Sequence, residues 1–548
     1  MKLPAGLWER IEARAEATPR ALFAVDSAGR RLDFAGYRDA VLRAAAGLSE
    51  LGVGPGSVVS WQLPTSFEAL LLLGALARLR AIQNPILPIY RRREVGFVSR
   101  QCGARFFVSP GNFRGFDHTA LGRELAAAQP GLRVLDVSGG LPEGDPASLP
   151  PADALRPREA QLPAFLRGRA LRTPPGSDGR TTPAEQVRFV FYTSGTTADP
   201  KGVLHAEATL AAAARGLEER LALREDDRIA FVFPVTHIGG PAWVMAVLGA
   251  GAALLVEPVF DPARTIPFLA EHGVTQGTAG TAFHQAYLAA QRERPGERLF
   301  PRARAFPGGG APKPPRLHHD VKAELGGAGV VSGYGLTEFP IATMGSVDDP
   351  DEVLAASEGR PTPGVEIRIA GPRGEALPGG AEGEVRLRGP QCFLGYVDPS
   401  LHADAFDAEG FFRSGDLGRL GPGGHLEITG RLKDVIVRKG ENISAKEVED
   451  LLHEHPAVAE AAVVGLPDPE RGERVCAVLV PREGAAAPGL GELARFLEGR
   501  GLMRQKLPEQ IEVVDALPRN PTGKVLKHEL RARFAGGAGP AAAGPRSS

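Results

Sequence analysis

A chain of 548 residues is too long for a single hydrophobic core, so its length predicts two or more domains. Hydrophobic residues make up 43% of the chain and charged residues 24%, values that are typical of globular proteins and exclude fibrous and disordered classes. The formal net charge of -1 provides no global basic field, so we expect no nucleic-acid partner.

The ends and the cysteines of the chain add expectations about its compartment. The three cysteines, Cys102, Cys392 and Cys476, are widely spaced and match neither a zinc motif nor a disulfide framework. Residues 1–17 predict an amphipathic helix without the apolar core of a signal peptide. The most apolar run, residues 69–76, has about half the length of a membrane-spanning helix. We therefore expect a cytoplasmic protein with no transmembrane segment.

Strand-like and helix-like segments alternate from about residue 32 to residue 261. Residues 57–62, 104–109 and 187–192 predict strands, and residues 68–79 and 206–223 predict helices. This alternation predicts an α/β fold of doubly wound, largely parallel sheets, which collect ligands beyond the carboxyl ends of their strands. Residues 139–179 are rich in Pro, Ala and Arg and predict an irregular connection.

The pattern changes after residue 383 and predicts a smaller α+β domain. Its predicted elements are strands at residues 435–438, 458–464 and 475–480 and a helix from Lys446, with a capping box at Ser444 and Glu447. We place the boundary close to Lys433. The predicted domains are residues 1–432, residues 433–534 and a disordered tail of residues 535–548.

The strongest local signal is YTSGTTADPKGV at residues 192–203. Successive backbone N–H groups in such a loop form an anion-binding concavity, and Lys201 adds a positive charge suited to phosphate. Hydroxyl side chains surround Gly195: Thr193, Ser194, Thr196 and Thr197. The loop is not a Walker A motif, because Pro200 and Gly202 flank the lysine. A solvated turn is the alternative, which the combination of strand, hydroxyls and lysine disfavours.

Two glycine-rich segments give weaker signals. GYGLTE at residues 333–338 offers Tyr334 as a flat face for a base and Glu338 as an oxygen ligand for Mg²⁺, although a loop tyrosine beside a glycine more often has a packing role. GGGAP at residues 308–312 lacks the third glycine of a dinucleotide fingerprint and could be a simple turn.

Two charged segments lie nearer the C-terminus. The carboxylate of Asp416, in SGD at residues 414–416, can hold a ribose, and Arg431 can hold the same sugar or a phosphate. A surface ion pair between the two is the alternative. PRNPTGK at residues 518–524 braces Lys524 with turn residues, so this lysine could supply charge to a transition state rather than remain solvated.

Together and in this order, these segments resemble the adenylate-forming superfamily of acyl-CoA synthetases, nonribosomal peptide adenylation domains and firefly luciferases. The resemblance covers roughly residues 7–534 and includes GRLKDVIVRKGEN at residues 430–442. It implies a large N-terminal region and a small C-terminal domain that rotates about a hinge at Lys433 between two half-reactions.

The resemblance also implies roles for single residues. Residues 193–201 match a flexible phosphate loop, Tyr334 matches the ring that stacks on adenine, and Thr337 matches an α-phosphate contact. The other implied nucleotide contacts are Ala311, Gly333, Gly335, Asp416 and Arg431. The implied catalytic residues are Lys524, which bridges the attacking carboxylate and the α-phosphate, Lys201, His237 beside the acyl pocket, and Glu338 as the Mg²⁺ ligand. Gly440, Glu441 and Asn442 would line the approach of the thiol arm.

The implied activity is that of a carboxylate–CoA ligase that uses ATP, Mg²⁺ and coenzyme A. NPILPIYRRRE at residues 84–94 and FRGFDH at residues 113–118 resemble cyclohexanecarboxylate–CoA ligases and short- to medium-chain fatty acyl-CoA synthetases, which predicts an alicyclic or short- to medium-chain aliphatic acid. The alternatives are a standalone enzyme loading a carrier-protein pantetheine, a luciferase-like oxidase and a catalytically dead scaffold. A homodimer is one oligomeric state that the sequence allows.

Overall fold

The computed structural model describes residues 4–172, 184–193, 200–310, 313–439, 441–519 and 524–535. The helices within these residues are α1 (Leu7–Ala17), α2 (Phe34–Glu50), α3 (Phe67–Arg78), α4 (Arg92–Gln101), α5 (His118–Ala128), α6 (Glu207–Arg220), α7 (Gly239–Ala250), α8 (Pro262–Glu271), α9 (Thr281–Arg292), α10 (Pro315–Glu324), α11 (Asp351–Ala356), α12 (Ala445–Leu452), α13 (Leu490–Gly499) and α14 (Lys527–Phe534).

The strands up to the middle of the chain are β1 (Leu22–Asp26), β2 (Arg31–Asp33), β3 (Val58–Trp61), β4 (Ile82–Pro85), β5 (Phe106–Ser109), β6 (Asn112–Phe113), β7 (Phe116–Asp117), β8 (Arg133–Asp136), β9 (Val187–Thr193), β10 (Lys201–Ala206), β11 (Arg228–Phe231) and β12 (Ala253–Val256). The later strands are β13 (Phe306–Gly309), β14 (Val330–Tyr334), β15 (Thr343–Met344), β16 (Arg360–Pro361), β17 (Glu366–Ala370), β18 (Gly383–Arg388), β19 (Gly395–Tyr396), β20 (Phe412–Leu420), β21 (Leu426–Arg431), β22 (Val435–Arg438), β23 (Glu441–Ser444), β24 (Val458–Asp468), β25 (Gly472–Pro481) and β26 (Gln510–Val513).

Two compact units share the chain. The first comprises Met1–Ile367, Arg386–Arg413 and Gly423–Leu426, and the second comprises Arg368–Val385, Ser414–Pro422 and Glu427–Ser548. The predicted fold class, α/β with a large N-terminal and a smaller C-terminal domain, is confirmed. The boundary close to Lys433 and the tail from residue 535 stay predictions.

Besides the short pair of β6 and β7, the described part of the first unit contains three sheets. A seven-stranded sheet has the order β19-β10-β9-β4-β3-β5-β8, and it is parallel from β9 to β8. Strand β10 is antiparallel to β9, because the short connection between them can only reverse the chain. Strand β19, from far along the chain, pairs with β10 in the antiparallel direction at the edge of the sheet. The second sheet has the order β11-β12-β1-β2 and the third the order β13-β14-β15-β16. The predicted, largely parallel sheets are therefore present, with antiparallel edges that the sequence analysis did not predict.

Burial on both faces explains the apolar strands of the seven-stranded sheet. All four residues of β3, β4 and β5 are buried, as expected for parallel strands covered by helices on each side. Helix α3 begins where the Ser66 side chain accepts a hydrogen bond from the Ala69 N–H, and it packs its leucines into the same core as Trp61. Each large apolar side chain buried in this way contributes about 1.5–3 kcal/mol.

The second unit contains a five-stranded sheet in which β23, β22, β25 and β24 are antiparallel neighbours and β26 adds to β25 in parallel. Helix α12 begins as predicted, with the Ser444 side chain accepting from the Glu447 N–H. The Glu447 carboxylate pairs with Lys506. The start of this helix is thus fixed by a cap and by an ion pair that sequence spacing does not show.

All three cysteines are buried and reduced. Burial raises the pKa of the Cys102, Cys392 and Cys476 thiols to about 12, so they stay protonated at neutral pH. Among the described residues, no helix combines the length and the apolar character needed to cross a membrane.

Gly359 gives a test of how tightly the third sheet is packed. Its φ is +80°, and a Cβ built there would lie 2.0 Å from the backbone N of Gly345. Gly29, between β1 and β2, has a similar φ of +83° with nothing within 4 Å of the same point. We expect Gly359→Ala to lower the free energy of unfolding of the first unit by about 3 kcal/mol or more, and Gly29→Ala to lower it by about 1–2 kcal/mol.

Denaturant unfolding followed by tryptophan fluorescence measures this difference, because Trp8, Trp61 and Trp243 all belong to the first unit. Gly29→Ala carries the strain of the left-handed backbone alone and is therefore the control. Equal losses in the two variants would contradict the packing argument.

Candidate active site

The predicted phosphate loop connects two paired strands. In the antiparallel register of β9 and β10, Thr193 lies opposite Lys201 and Tyr192 lies opposite Gly202. The residues between them, including Ser194, Gly195, Thr196 and Thr197, lie outside the described residues. The structure therefore fixes both ends of the loop at the carboxyl end of β9, the edge at which parallel sheets collect ligands.

Tyr396 brings the ends of two predicted motifs together. It lies on β19, where it pairs with Val203 of β10. Its hydroxyl donates to Glu338 Oε1 at 3.0 Å, and the Lys201 Nζ lies 5.5 Å from the centre of its ring. Burial and the neighbouring Glu338 carboxylate raise the pKa of Tyr396, so its hydroxyl keeps the proton that it donates.

The backbone of the same strand segment holds Glu338 as well. The Phe393 N–H donates to the Glu338 carbonyl at 2.9 Å. Both the main chain and the side chain of Glu338 are thus tied to residues 393–396. A cation and a carboxylate that are far apart in the sequence meet around one tyrosine.

The two glycine-rich segments lie side by side in the third sheet. Strands β13 and β14 run parallel, with Gly309 opposite Gly333, and a Cβ on Gly309 would lie 2.8 Å from the Gly333 carbonyl oxygen. The sequence predicts a loop at Tyr334; instead, β14 continues through it, because Tyr334 pairs with Thr343 of β15. The Tyr334 side chain is half-buried at the end of that strand. Ala311 lies outside the described residues.

Buried His205 positions the segment that carries Thr337 and Glu338. Its Nε2 lies 2.8 Å from the Thr337 carbonyl oxygen, and its Nδ1 lies 2.8 Å from Thr209 Oγ1. Burial lowers the pKa of His205 to about 4, so the ring is neutral near pH 7 and donates to the Thr337 carbonyl from Nε2. This histidine on β10 therefore connects the strand of Lys201 to the segment of Glu338.

A mostly apolar cavity lies beside these residues. It encloses about 400 Å³ of empty space, part of it open to solvent, and it is bounded by Thr337, by residues 236–238, by Phe191 and Tyr192 and by the loop after β4. Burial lowers the pKa of His237 to about 4. Its Nδ1 accepts from the Gly239 N–H at 3.3 Å, which leaves Nε2 as the protonated nitrogen.

Four predicted residues meet in the second unit. Arg431 Nε lies 2.6 Å from Asp416 Oδ1, so the ion pair weighed as the alternative is present, but the Asp416 side chain is 3% exposed and the pair is not a surface one. Lys433 and Lys524 lie close enough to this pair for its charges to act on them. Burial, with the nearby Arg431, lowers the pKa of Lys524 to about 8 and also lowers that of Lys433.

The predicted thiol-arm residues are described only in part. Gly440 lies outside the described residues, as do the side chains of Glu441 and Asn442, whose backbone forms the start of β23. No cluster of three or more His, Cys, Asp or Glu side chains suited to a metal occurs in the described part of the chain.

Two contributors to the site were missed by the sequence analysis. Tyr396 and His205 lie outside the six motifs, and each acts through pairing between distant segments. The sequence does carry a signal for His205, because it is a polar residue inside the otherwise apolar run 203–206. A histidine that is buried in such a run needs hydrogen-bond partners. No local pattern marks Tyr396.

Comparisons with known proteins identify the family of the chain. The model of the family described as AMP-binding enzyme matches residues 11–397, and the model described as AMP-binding enzyme C-terminal domain matches residues 447–524. A medium-chain fatty-acid–CoA ligase of Escherichia coli K12 is 31% identical over 96% of this chain and 91% of that protein.

Two further relatives extend the comparison. A Mycobacterium tuberculosis protein named salicyl-AMP ligase / salicyl-S-ArCP synthetase is 34% identical over 92% of this chain and 87% of its own length. The crystal structure of ATP-bound MatB from Rhodopseudomonas palustris superposes with a TM-score of 0.81 at 26% identity, covering 97% of this chain and 99% of that one. Because the family match spans more than half of the sequence and the relatives span nearly all of it, this chain belongs to the AMP-binding enzyme family.

Proposed function

We propose that this member of the AMP-binding enzyme family is an acid–thiol ligase that joins a carboxylic acid to coenzyme A with cleavage of ATP to AMP and pyrophosphate. The observation that carries the proposal is the meeting of Lys201 and Glu338 at Tyr396, which puts a cation and an oxygen ligand beside the predicted phosphate loop. The E. coli relative, named as a medium-chain fatty-acid–CoA ligase, supports the choice of reaction.

In the first half-reaction, a carboxylate oxygen of the acid attacks the α-phosphorus of ATP. The bond between the α-phosphorus and its bridging oxygen breaks, and pyrophosphate leaves. Two anions must approach each other, so fixed positive charge offsets their repulsion. We assign this role to Lys201 and Lys524, and we assign the α-phosphate contact to Thr337, which His205 positions.

We assign nucleotide recognition to Tyr334, Asp416 and Arg431. Tyr334, at the end of β14, provides the face for the adenine, and the carboxylate of Asp416 accepts from the ribose hydroxyls with Arg431 beside it. The buried, hydroxyl-bonded carboxylate of Glu338 is a hard oxygen donor that fits Mg²⁺. Mg²⁺, when bound, supplies further neutralisation of the phosphate charge.

In the second half-reaction, the thiol sulfur attacks the carbonyl carbon of the acyl-adenylate. The bond from that carbon to the AMP oxygen breaks, AMP leaves, and the thiol proton passes to solvent. Lys524 must withdraw before the thiol arrives. We assign the hinge to Lys433, which lies in the short turn of Leu432–Asp434 between β21 and β22, the kind of element-terminal position that absorbs domain movement.

We propose an alicyclic or short- to medium-chain aliphatic acid as the substrate, in line with the kinship segments at residues 84–94 and 113–118 and with the E. coli relative. A second candidate function is the loading of a carrier-protein pantetheine. The name salicyl-S-ArCP synthetase of the Mycobacterium relative favours it, since such carriers present the same thiol arm as CoA.

The first test is pyrophosphate release with ATP, Mg²⁺ and a panel of acids from acetate through octanoate to cyclohexanecarboxylate and benzoate, each with and without CoA. We expect CoA-dependent turnover with an aliphatic acid and a loss of about 10²–10³ in rate in Lys524→Ala. Products are identified by mass. Adenylate without a CoA thioester would favour the carrier-protein function, and no adenylate with any acid would contradict both.

Removal of the Tyr396 hydroxyl tests how Glu338 is held. Tyr396→Phe keeps the ring beside Lys201 but deletes a hydrogen bond to a charged group, worth about 1.5–3 kcal/mol. We expect ATP–pyrophosphate exchange to fall by about 10- to 100-fold, with a higher Mg²⁺ requirement. Tyr37→Phe, which removes a buried hydroxyl bonded to the Leu70 carbonyl, is the control and should leave the Mg²⁺ dependence unchanged. If the Mg²⁺ dependence of Tyr396→Phe is also unchanged, Tyr396 does not have the assigned role of holding Glu338.

The lowered pKa of Lys524, about 8, predicts an alkaline limit to adenylation. Below that pH the ammonium is charged; above it the charge is lost, so kcat/KM for the acid should fall about tenfold per pH unit. Lys524→Arg keeps its charge and should move the falling limb to higher pH, even if its absolute rate is lower. Lys527→Arg, in the same unit, should leave the profile unchanged. If kcat/KM falls at the same pH in wild type and in Lys524→Arg, the group that titrates is not Lys524.

A further inference from the structure

Helix α14 begins three residues after Lys524, and its contacts anchor the backbone that follows this lysine. Directly after Lys524, Val525 forms an antiparallel bridge with Arg519. Within α14, the Leu530 side chain is 1% exposed and packs in an apolar cluster with residues of β24 and β25. The position of Lys524 therefore depends on how α14 is held in the second unit.

One ion pair connects α14 to the turn that contains the predicted hinge. Arg531 Nη2 lies 2.9 Å from Asp434 Oδ1, and Asp434 is the last residue of the turn Leu432–Asp434. The Arg531 and Asp434 side chains are 31% and 19% exposed, so water screens this pair less than it screens a fully exposed pair. Residues 97 positions apart thus join the helix that follows Lys524 to the turn of Lys433.

The Asp434 carboxylate belongs to the charged surroundings of Lys524. Burial is the main cause that lowers the pKa of Lys524, and the Arg431 and Lys433 cations add to this effect. Asp416 and Asp434 act in the opposite direction, because a nearby anion favours the charged ammonium. The charge state of Lys524 therefore depends on where the Asp434 carboxylate is held and on how far its charge is compensated.

Arg531 compensates the charge of Asp434. Burial acts to raise the pKa of Asp434, but the hydrogen bond from Arg531 and the neighbouring cations outweigh it and hold this pKa below its usual range. Asp434 is therefore an anion near pH 7, with the guanidinium as a fixed counter-charge. Loss of Arg531 would remove both the link from the turn to α14 and the counter-charge of a carboxylate that acts on Lys524.

We propose that Arg531 is a positioning residue for adenylation: by binding Asp434 it holds α14 against the hinge turn and fixes the position of the Lys524 ammonium. Arg531 acts through Asp434 and Lys524, not on the substrate. The proposal rests on the proposed function, in which Lys524 supplies positive charge to the first half-reaction. It goes beyond that function, because neither Arg531 nor Asp434 is among the residues to which the motifs assign a role.

The first test separates the two half-reactions in Arg531→Gln, with the acid that wild type uses. We expect acid-dependent ATP–pyrophosphate exchange to fall about tenfold, because a displaced catalytic group loses part of its effect. Thioester formation from added acyl-adenylate and CoA should be unchanged, since Lys524 takes no part in that step. Arg531→Lys keeps the positive charge and should recover part of the exchange rate.

Two further variants serve as controls. Arg500→Gln removes the same charge from the pair that Arg500, directly after α13, forms with Glu454, and it should exchange pyrophosphate as wild type does. The double variant Asp434→Asn/Arg531→Gln should lose no more activity than the weaker of the two single variants, because the two residues act as one pair. Fully additive losses would contradict a role through the pair.

A pH signature distinguishes the positioning of charge from a general loss of structure. Asp434→Asn removes an anion that raises the pKa of Lys524, so the alkaline fall in kcat/KM should move to lower pH. Arg531→Gln removes the counter-charge of that anion, so the fall should move to higher pH. After reductive ¹³C-methylation, NMR titration of the Lys524 signal, assigned by its absence in Lys524→Arg, should show the same opposite shifts. Shifts in one direction, or none, would overturn the proposal.

Failure of the positioning role and failure of the proposed function give different results. If wild type adenylates an acid but Arg531→Gln exchanges pyrophosphate at the wild-type rate, or loses both half-reactions equally, the positioning role is overturned and the proposed function stands. If wild type adenylates no acid, the proposed function is wrong and the role in adenylation falls with it. Opposite shifts in the NMR titration would in that case still show that Arg531 and Asp434 act on Lys524.

Discussion

The pairing of β19 with β10 is the constraint on which the site of the first unit depends. It adds an antiparallel strand at the edge of a parallel sheet and places Tyr396 opposite Val203, two residues after Lys201. From that position, the tyrosine hydroxyl reaches the Glu338 carboxylate, and the neighbouring Phe393 N–H holds the Glu338 carbonyl. Because His205 on β10 also reaches Thr337, the strand that begins with Lys201 of the predicted phosphate loop contacts the GYGLTE segment both directly and through β19.

Local patterns sufficed for segments whose environment is uniform along the chain. The strand predicted at residues 187–192 is β9, the helix predicted at residues 68–79 is α3 within one residue, and the strand predicted at residues 435–438 is β22. Strand β9 and helix α3 are buried on both faces, so the apolar composition of each segment is enough to predict the element. Ser444 marked the start of α12 because a cap is a contact between residues three apart.

Contacts between distant segments explain what the sequence could not show. Tyr334 belongs to a strand only because Thr343 pairs with it, and Tyr396 reaches Glu338 only through the register of a strand far along the chain. Ionisation behaves in the same way: the turn residues around Lys524 singled it out in the sequence, but its lowered pKa comes from burial beside Arg431, which no local pattern shows. Motifs pointed to candidate site residues, whereas no local pattern pointed to Tyr396, which contacts one of them.

The burial of all three cysteines has a consequence for an enzyme that handles activated acyl groups. A surface thiolate would compete with the thiol substrate for the mixed anhydride and would acylate the protein itself. With each sulfur buried and its pKa raised to about 12, none of the three thiols competes for that intermediate. The same property makes it a clean background for labelling, since a single cysteine introduced at the surface would be the preferred site for a maleimide dye.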